Sequence, residues 1–222
     1  MTGAANGDAV TATKGHGIPD TELKEIMAAN KNWFYPAHDD GFVHAHDAIR
    51  LDMKMISEAL KAVVAQLKGG QALQGWQVDN LKAVWANFVH NTHHHHENEE
   101  AIFFPWINER VALPPKMEDD HVTLIQAMDE CGAIVDRLAA GQPAEADARA
   151  VGELSDKFDA MRASVEAHLK EEEEVALPLV RKHYTYKEFQ PVEKKIVAGM
   201  TPLDMGWFLL PFPGDAERRK WM

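Results

Sequence analysis

His95-His96-Glu97-Asn98-Glu99-Glu100-Ala101-Ile102-Phe103-Phe104-Pro105 and His168-Leu169-Lys170-Glu171-Glu172-Glu173-Glu174-Val175-Ala176-Leu177-Pro178 are two versions of one pattern. In each, a glutamate follows the histidine by four positions and a proline follows it by ten. Helix positions four apart lie above one another on one face, so each pair points an imidazole nitrogen and a carboxylate oxygen at one place. Two such helices facing each other supply donors for two metal ions, with the carboxylates shared between them, inside a helix bundle.

Outward from these stretches the chain reads as four long helical segments. The first runs from about Gly41 to Lys68 on an apolar stripe of Val43, Ile49, Met53, Ile56, Leu60, Val63 and Leu67, and is stopped by Gly69-Gly70. The second runs from about Gln77 to Arg110 on Leu81, Val84, Phe88, Ile102 and Trp106, and Pro105 is expected to kink it or end its regular part. The third follows Pro114-Pro115 and reaches Ala140 on Leu124, Met128, Val135 and Leu138. The fourth runs from about Ala144 to His183 on Leu154, Phe158, Met161, Val165, Val175 and Leu179. Long helices joined by short loops predict an all-α fold, an up-down-up-down four-helix bundle.

The flanks are expected to differ. Residues 1–17 hold almost nothing large and apolar and are expected to be a disordered tail. Pro19 and Asp20 open a short N-terminal helix through about Lys31, followed by an aromatic loop at Trp33-Phe34-Tyr35-Pro36. The bundle thus occupies 18–183, with its core over 41–183. Residues 184–222 form an aromatic and proline-rich C-terminal extension packed on the bundle. That extension begins with a helix over Tyr186 to Val197 that Pro191 interrupts, and ends with a short helix between Pro213 and Trp221.

Composition narrows the function. The chain has 222 residues, 45% hydrophobic and 26% charged, which suits one well-packed domain with tails. A formal net charge of −12 argues against nucleic acid or an anionic membrane as partner. No apolar run reaches the roughly 18 residues of a membrane span, and no secretory leader is visible. Cys131 is the only cysteine, so no intramolecular disulfide forms and a reducing, cytoplasmic setting is expected. Histidine stands out with 12 residues.

The helical phase selects among those histidines. His168 and Glu172 continue the stripe of Val165 and Val175, and His95 and Glu99 continue that of Phe88 and Ile102. His121 falls in phase with Leu124 and Met128, and His46 falls between Val43 and Ile49. His44, two positions earlier, is expected to face out. Each helix therefore sends one histidine inward and two helices add a carboxylate. Such groups are costly to bury alone, and a cation is their natural common partner. Imidazole and carboxylate suit iron, manganese or zinc, and the lack of thiolates argues against a soft-metal site. Shared carboxylates point to a pair of iron ions, with a manganese–iron pair as the alternative.

Chain order adds a repeat. His46 precedes His95 by 49 residues and His121 precedes His168 by 47, as an approximately two-fold symmetric bundle requires. His46, His95-x-x-x-Glu99, His121 and His168-x-x-x-Glu172, together with His46-Asp47-Ala48-Ile49-Arg50, resemble the hemerythrin family in its HHE cation-binding branch. The resemblance covers about Gly41 to His183. It implies a four-helix bundle around an oxo- or hydroxo-bridged di-iron centre, with His46, His95, His121 and His168 as ligands and Glu99 and Glu172 bridging. Oxygen carriers of that family have His-x-x-x-His on the third helix, where this chain has Ile125. They also have Asp five residues after the fourth-helix histidine, where this chain has Glu172 at four. One iron is therefore expected to have fewer imidazoles.

Among the remaining histidines, His96 is expected to lie about 100° from the core direction, as a supporting donor or extra ligand. His93 and His94 are expected at the bundle edge, and His90 in an ordinary role. Glu97, Glu100, Glu171, Glu173 and Glu174 read as a hydrated face. A ferritin-like arrangement needs two Glu-x-x-His copies, and Glu118-x-x-His121 stands alone. No zinc-hydrolase helix and no Ser-His-Asp or Cys-His arrangement is present. The expected function is binding of dioxygen or a related small ligand, in oxygen binding, sensing or iron handling. The alternative is a redox enzyme acting on peroxide or nitric oxide. The shared ligand set does not separate the two. Phe88, Ile102, Met128, Met161 and Val165 are the expected apolar lining.

Overall fold

The computed structural model describes residues 20–29, 32–141 and 143–221. The tail expected over residues 1–17 lies outside them. Every regular element among the described residues is helical: α1 (Asp20–Ala29), α2 (Gly41–Lys68), α3 (Gly75–Asn98), α4 (Phe104–Asn108), α5 (Lys116–Ala139), α6 (Ala144–Glu171), α7 (Leu177–His183), α8 (Tyr186–Ala198), α9 (Pro202–Phe208) and α10 (Asp215–Arg218). A single 3-10 turn, Ala37–Asp39, precedes α2. No helix among the described residues is long and apolar enough to cross a membrane.

α2 packs on α3 and α6, and α5 packs on the same two, so the four long helices close a ring. Inside it lie Ile49, Met53, Phe88, Met128, Phe158 and Val165, all at most 2% exposed. A second apolar cluster, with Phe104, Ile107, Leu179 and Val180, fills the end where α4 and α7 meet the N-terminal aromatic loop. Buried anchors tie that loop down. Trp33 Nε1 donates to the Tyr184 carbonyl at 3.1 Å, and Arg181 pairs with Asp40 at 2.9 Å. Asp40 also caps α2, accepting from the Phe42 amide at 3.2 Å.

The segments expected as continuous helices over 77–110 and 144–183 each divide in three. A π-helical turn, Glu99–Phe103, joins α3 to α4, and another, Glu172–Ala176, joins α6 to α7. The reason is the proline at the sixth position after each glutamate. Proline lacks an N–H and its ring crowds the carbonyl four residues back, so regular α-helical bonding is disfavoured there. The chain inserts a residue instead of breaking. The Phe104 amide bonds to the Glu99 carbonyl and the Leu177 amide to the Glu172 carbonyl, each five residues back.

The core stripe of α3 also differs from expectation. Val84 is 42% exposed, and Trp85 takes its place at 7%. Spacings of three and four before Phe88 are both helical, and the neighbour decides between them. Trp85 packs on Phe88 and Phe158, with its Nε1 only 3.1 Å from where a Cβ on Gly132 of α5 would sit. Only glycine there makes room for the indole.

The C-terminal extension is helical over much of its length. α8 runs straight through Pro191, which lies on the exposed side where water can meet the carbonyl it leaves unpaired. α9 opens with a capping box. Asp204 Oδ2 accepts from the Thr201 amide at 2.7 Å, and Thr201 Oγ1 accepts from the Asp204 amide at 3.2 Å. From α9, Trp207 Nε1 donates to the buried Asp52 of α2 at 2.8 Å. Phe208, Leu209 and Phe212 join the bundle core. Trp221 lies over Gly41, where a Cβ would approach its ring to 3.3 Å.

Candidate metal centre

Between the two apolar clusters, seven polar side chains converge, none more than 9% exposed: His46, His95, His96, Glu99, His121, His168 and Glu172. They form two groups whose donor atoms lie within 4.8 Å of one another: His46, His95, Glu99 and Glu172 in one, and His96, Glu99, His121 and His168 in the other. Each carboxylate reaches both groups. Glu99 Oε1 lies 3.2 Å from His95 Nε2, and its Oε2 lies 3.5 Å from His121 Nε2. Glu172 Oε1 lies 3.2 Å from His168 Nε2, and its Oε2 lies 3.4 Å from His46 Nε2.

All six residues chosen from the sequence are thus brought together. His96 joins them as a full member of the cluster, which corrects its placement to one side of the core. The physical reason is the ring. α3 packs against both α2 and α5 at this level, so it has two inward directions, and the 100° step between neighbouring residues covers both. His95 meets His46 with ring centroids 5.0 Å apart, and His96 stacks on His121 at 4.1 Å. His96 thus stands beside His121, on the side where α5 carries Ile125 and offers no second imidazole.

A supporting layer turns the rings. His46 Nδ1 donates to Glu173 Oε1 at 2.8 Å, and Arg50 holds the same oxygen at 2.7 Å. His121 Nδ1 donates to Glu100 Oε1 at 2.8 Å. The glutamate after each core carboxylate thus serves the single histidine of the other repeat. This fixes which nitrogen faces inward and makes the ring a stronger donor. Glu100 and Glu173 are therefore not merely part of a hydrated face. Glu171 pairs with Lys116 at 2.9 Å, and Glu97 stays exposed.

The outlying histidines are placed as follows. His44 turns away from the centre, but the extension covers it, with Phe212 and Trp221 centroids 4.4 and 5.2 Å away. His90 Nε2 meets Asp204 at 3.1 Å. His93 and His94 are half-buried.

The electrostatics fit a cation. Burial, and then the neighbouring imidazole (His46 beside His95, His121 beside His96), push His95 and His96 well below the ordinary histidine range, leaving neutral rings suited to ligation. Burial and then the nearby Glu172 push the Glu99 carboxyl well up. Burial acts the same way on Glu172, but the nearby His121 and His168 rings outweigh it and hold that carboxyl low. His46 Nε2, His95 Nε2, both His96 nitrogens, and both oxygens of Glu99 and Glu172 have no hydrogen-bonding partner among the described residues. Orphaned buried polar atoms on this scale are rare and costly. His121 Nε2 and His168 Nε2 converge to 3.0 Å, and two nitrogens at right angles on one metal at about 2.1 Å stand about 3 Å apart. The residues fit a metal pair.

Paired His-x-x-x-Glu helices in a closed helical ring define a cation-binding helical protein. The family model described as the hemerythrin HHE cation binding domain matches residues 37–180, and the chain belongs to that family. No curated protein and no solved structure gives a match.

Proposed function

We propose that the chain is a non-haem di-iron protein that binds dioxygen or a related small ligand, peroxide or nitric oxide, in the bundle core. His46 and His95 would hold one iron and His96, His121 and His168 the other, with Glu99 and Glu172 shared between them. The observation that carries this reading is the set of buried, unpartnered imidazole and carboxylate atoms sorted into two groups that share Glu99, with Glu172 lying 3.4 Å from His46 in one and 3.2 Å from His168 in the other. A bound iron pair supplies Lewis acidity and electrons shared over two metals. The chain supplies the rest. Glu173 and Glu100 hold His46 and His121 with Nε2 inward. Phe88, Met128, Met161 and Val165, all at most 2% exposed, keep water from the centre on one side. Phe103 and Phe104 do so on the other.

The up-down-up-down order belongs to the same proposal, supported by the short connections at 69–74 and 109–115, which favour antiparallel neighbours. So does a reducing, cytoplasmic setting, which suits Cys131: burial pushes its thiol up to about 11 and leaves it unreactive.

The test is metal analysis with optical spectra of the anaerobically reduced protein, taken before and after air, peroxide and nitric oxide. Two irons per chain and a reversible oxidation-dependent band are expected. Rapid turnover of peroxide or nitric oxide would move the assignment to the enzyme reading. Zinc alone, with no such band, would defeat both.

A further inference from the structure

A cavity of about 130 Å³ lies beside the centre, between the bundle and the C-terminal extension. His95 and Glu99 form part of its lining, while His46, His96, His121, His168 and Glu172 do not line it. Its walls are overwhelmingly apolar, with Phe42 and Phe103 from the bundle side and Ile196, Met200, Trp207 and Trp221 from the extension. These are not the residues that the sequence suggested as apolar lining. Asn91 also lines the cavity, is 3% exposed, and its Nδ2 donor has no partner.

We infer that this cavity is a binding chamber for an uncharged organic molecule of about benzene size that carries one hydrogen-bond acceptor oxygen. The inference rests on the di-iron reading for its functional meaning and on the cavity alone for its binding. An apolar cavity of about 150 Å³ stays dry and takes up benzene, so the volume sets the size class. Most of the wall is apolar, and its charged members, Glu99, Glu193 and Asp204, are acidic, so the chamber suits an uncharged occupant over an anion. A buried amide donor without a partner costs free energy until an acceptor reaches it, and this selects a carbonyl or hydroxyl oxygen over a plain hydrocarbon. With His95 in its wall and none of His96, His121 and His168, the chamber places that molecule on the His46–His95 side of the centre, and the extension makes the wall that holds it there.

The experiment titrates cyclohexanone and benzene into the metal-loaded full chain, reading Trp207 and Trp221 fluorescence and thermal shift. Metal content is measured on the same samples. Saturable binding of both is expected, with cyclohexanone tighter. Met200→Trp, which fills the chamber, should weaken both at least tenfold at unchanged metal content. Asn91→Leu should remove the preference for the ketone, a loss of about three- to tenfold, while benzene still binds. If Met200→Trp fails to fold, the Asn91→Leu comparison alone decides. Metal-loaded protein that binds neither probe overturns the chamber and leaves the di-iron reading standing. Binding that Met200→Trp or Asn91→Leu leaves unaltered also overturns it. Protein that takes up the probes as described but holds no metal retains the chamber and defeats the di-iron reading.

Discussion

The two repeats of the bundle, residues 41–108 and 116–183, build the same frame and then depart from it at two positions. Both place a single histidine on one helix and a His-x-x-x-Glu pair on the next. Both open a π-turn at the glutamate, six residues before a proline, and both aim the following glutamate at the other repeat's histidine. The residue after the pair's histidine is His96 in the first repeat and Leu169, fully buried in the core, in the second. The residue four after the single histidine is Arg50 in the first and Ile125 in the second. One candidate group therefore has three imidazoles and the other two, while both glutamates lie within reach of each. Glu173 is held by an arginine, while Glu100 is half-exposed with no such cation. A symmetric scaffold thus carries two chemically unequal halves, and the inequality rests on very few side chains.

The largest effect should come from breaking what both halves share. Glu172→Ala is expected to empty both groups and to destabilise the fold by about 3–5 kcal/mol, because the remaining buried donors lose their common partner. Metal analysis and thermal unfolding read both, and full metal content in the variant would refute the sharing.

His96→Leu makes the first repeat like the second. Metal content should drop from about two per chain to about one, because only the group with three imidazoles is depleted. The apo fold should hold, because leucine suits the buried position. Loss of both metals would mean that the halves are not separable.

Arg50→Ile makes the frames alike at the other position. It frees Glu173 and loosens the His46 ring, so metal binding should weaken by about 10- to 100-fold in a chelator competition, at nearly unchanged helix content. An equal loss from Glu100→Gln would show that the arginine adds nothing.

The smallest change is expected from His44→Ala. It keeps both metals and costs about 0.5–1.5 kcal/mol in thermal unfolding through the lost contact with Phe212. Loss of metal would mean that His44, not His46, serves the centre.

Much of the site was legible because His95, Glu99, His168 and Glu172 lie four apart on helices whose apolar stripes fix their phase. His46 and His121 followed from stripe and repeat. His96 was not, because one stripe assigns one inward direction to a helix, and only the packing of α3 against two neighbours gives it a second. Glu100 and Glu173 looked like surface charge because their partners lie 21 and 127 residues away in the chain. Val84 was preferred to Trp85 because nothing local shows the space above Gly132. Pro105 marked an irregularity and Pro178 was read through, and neither showed that the chain would answer with a π-turn.

The sequence alone determined the helical period, the donors at i and i+4, and their near-exact repetition, because these follow from local geometry and from what side chains can bury. The tertiary structure alone decided which further groups reach the centre and that the extension walls a cavity beside it. Contacts between distant segments depend on how faces meet and how much room each leaves, and no window of sequence contains both sides.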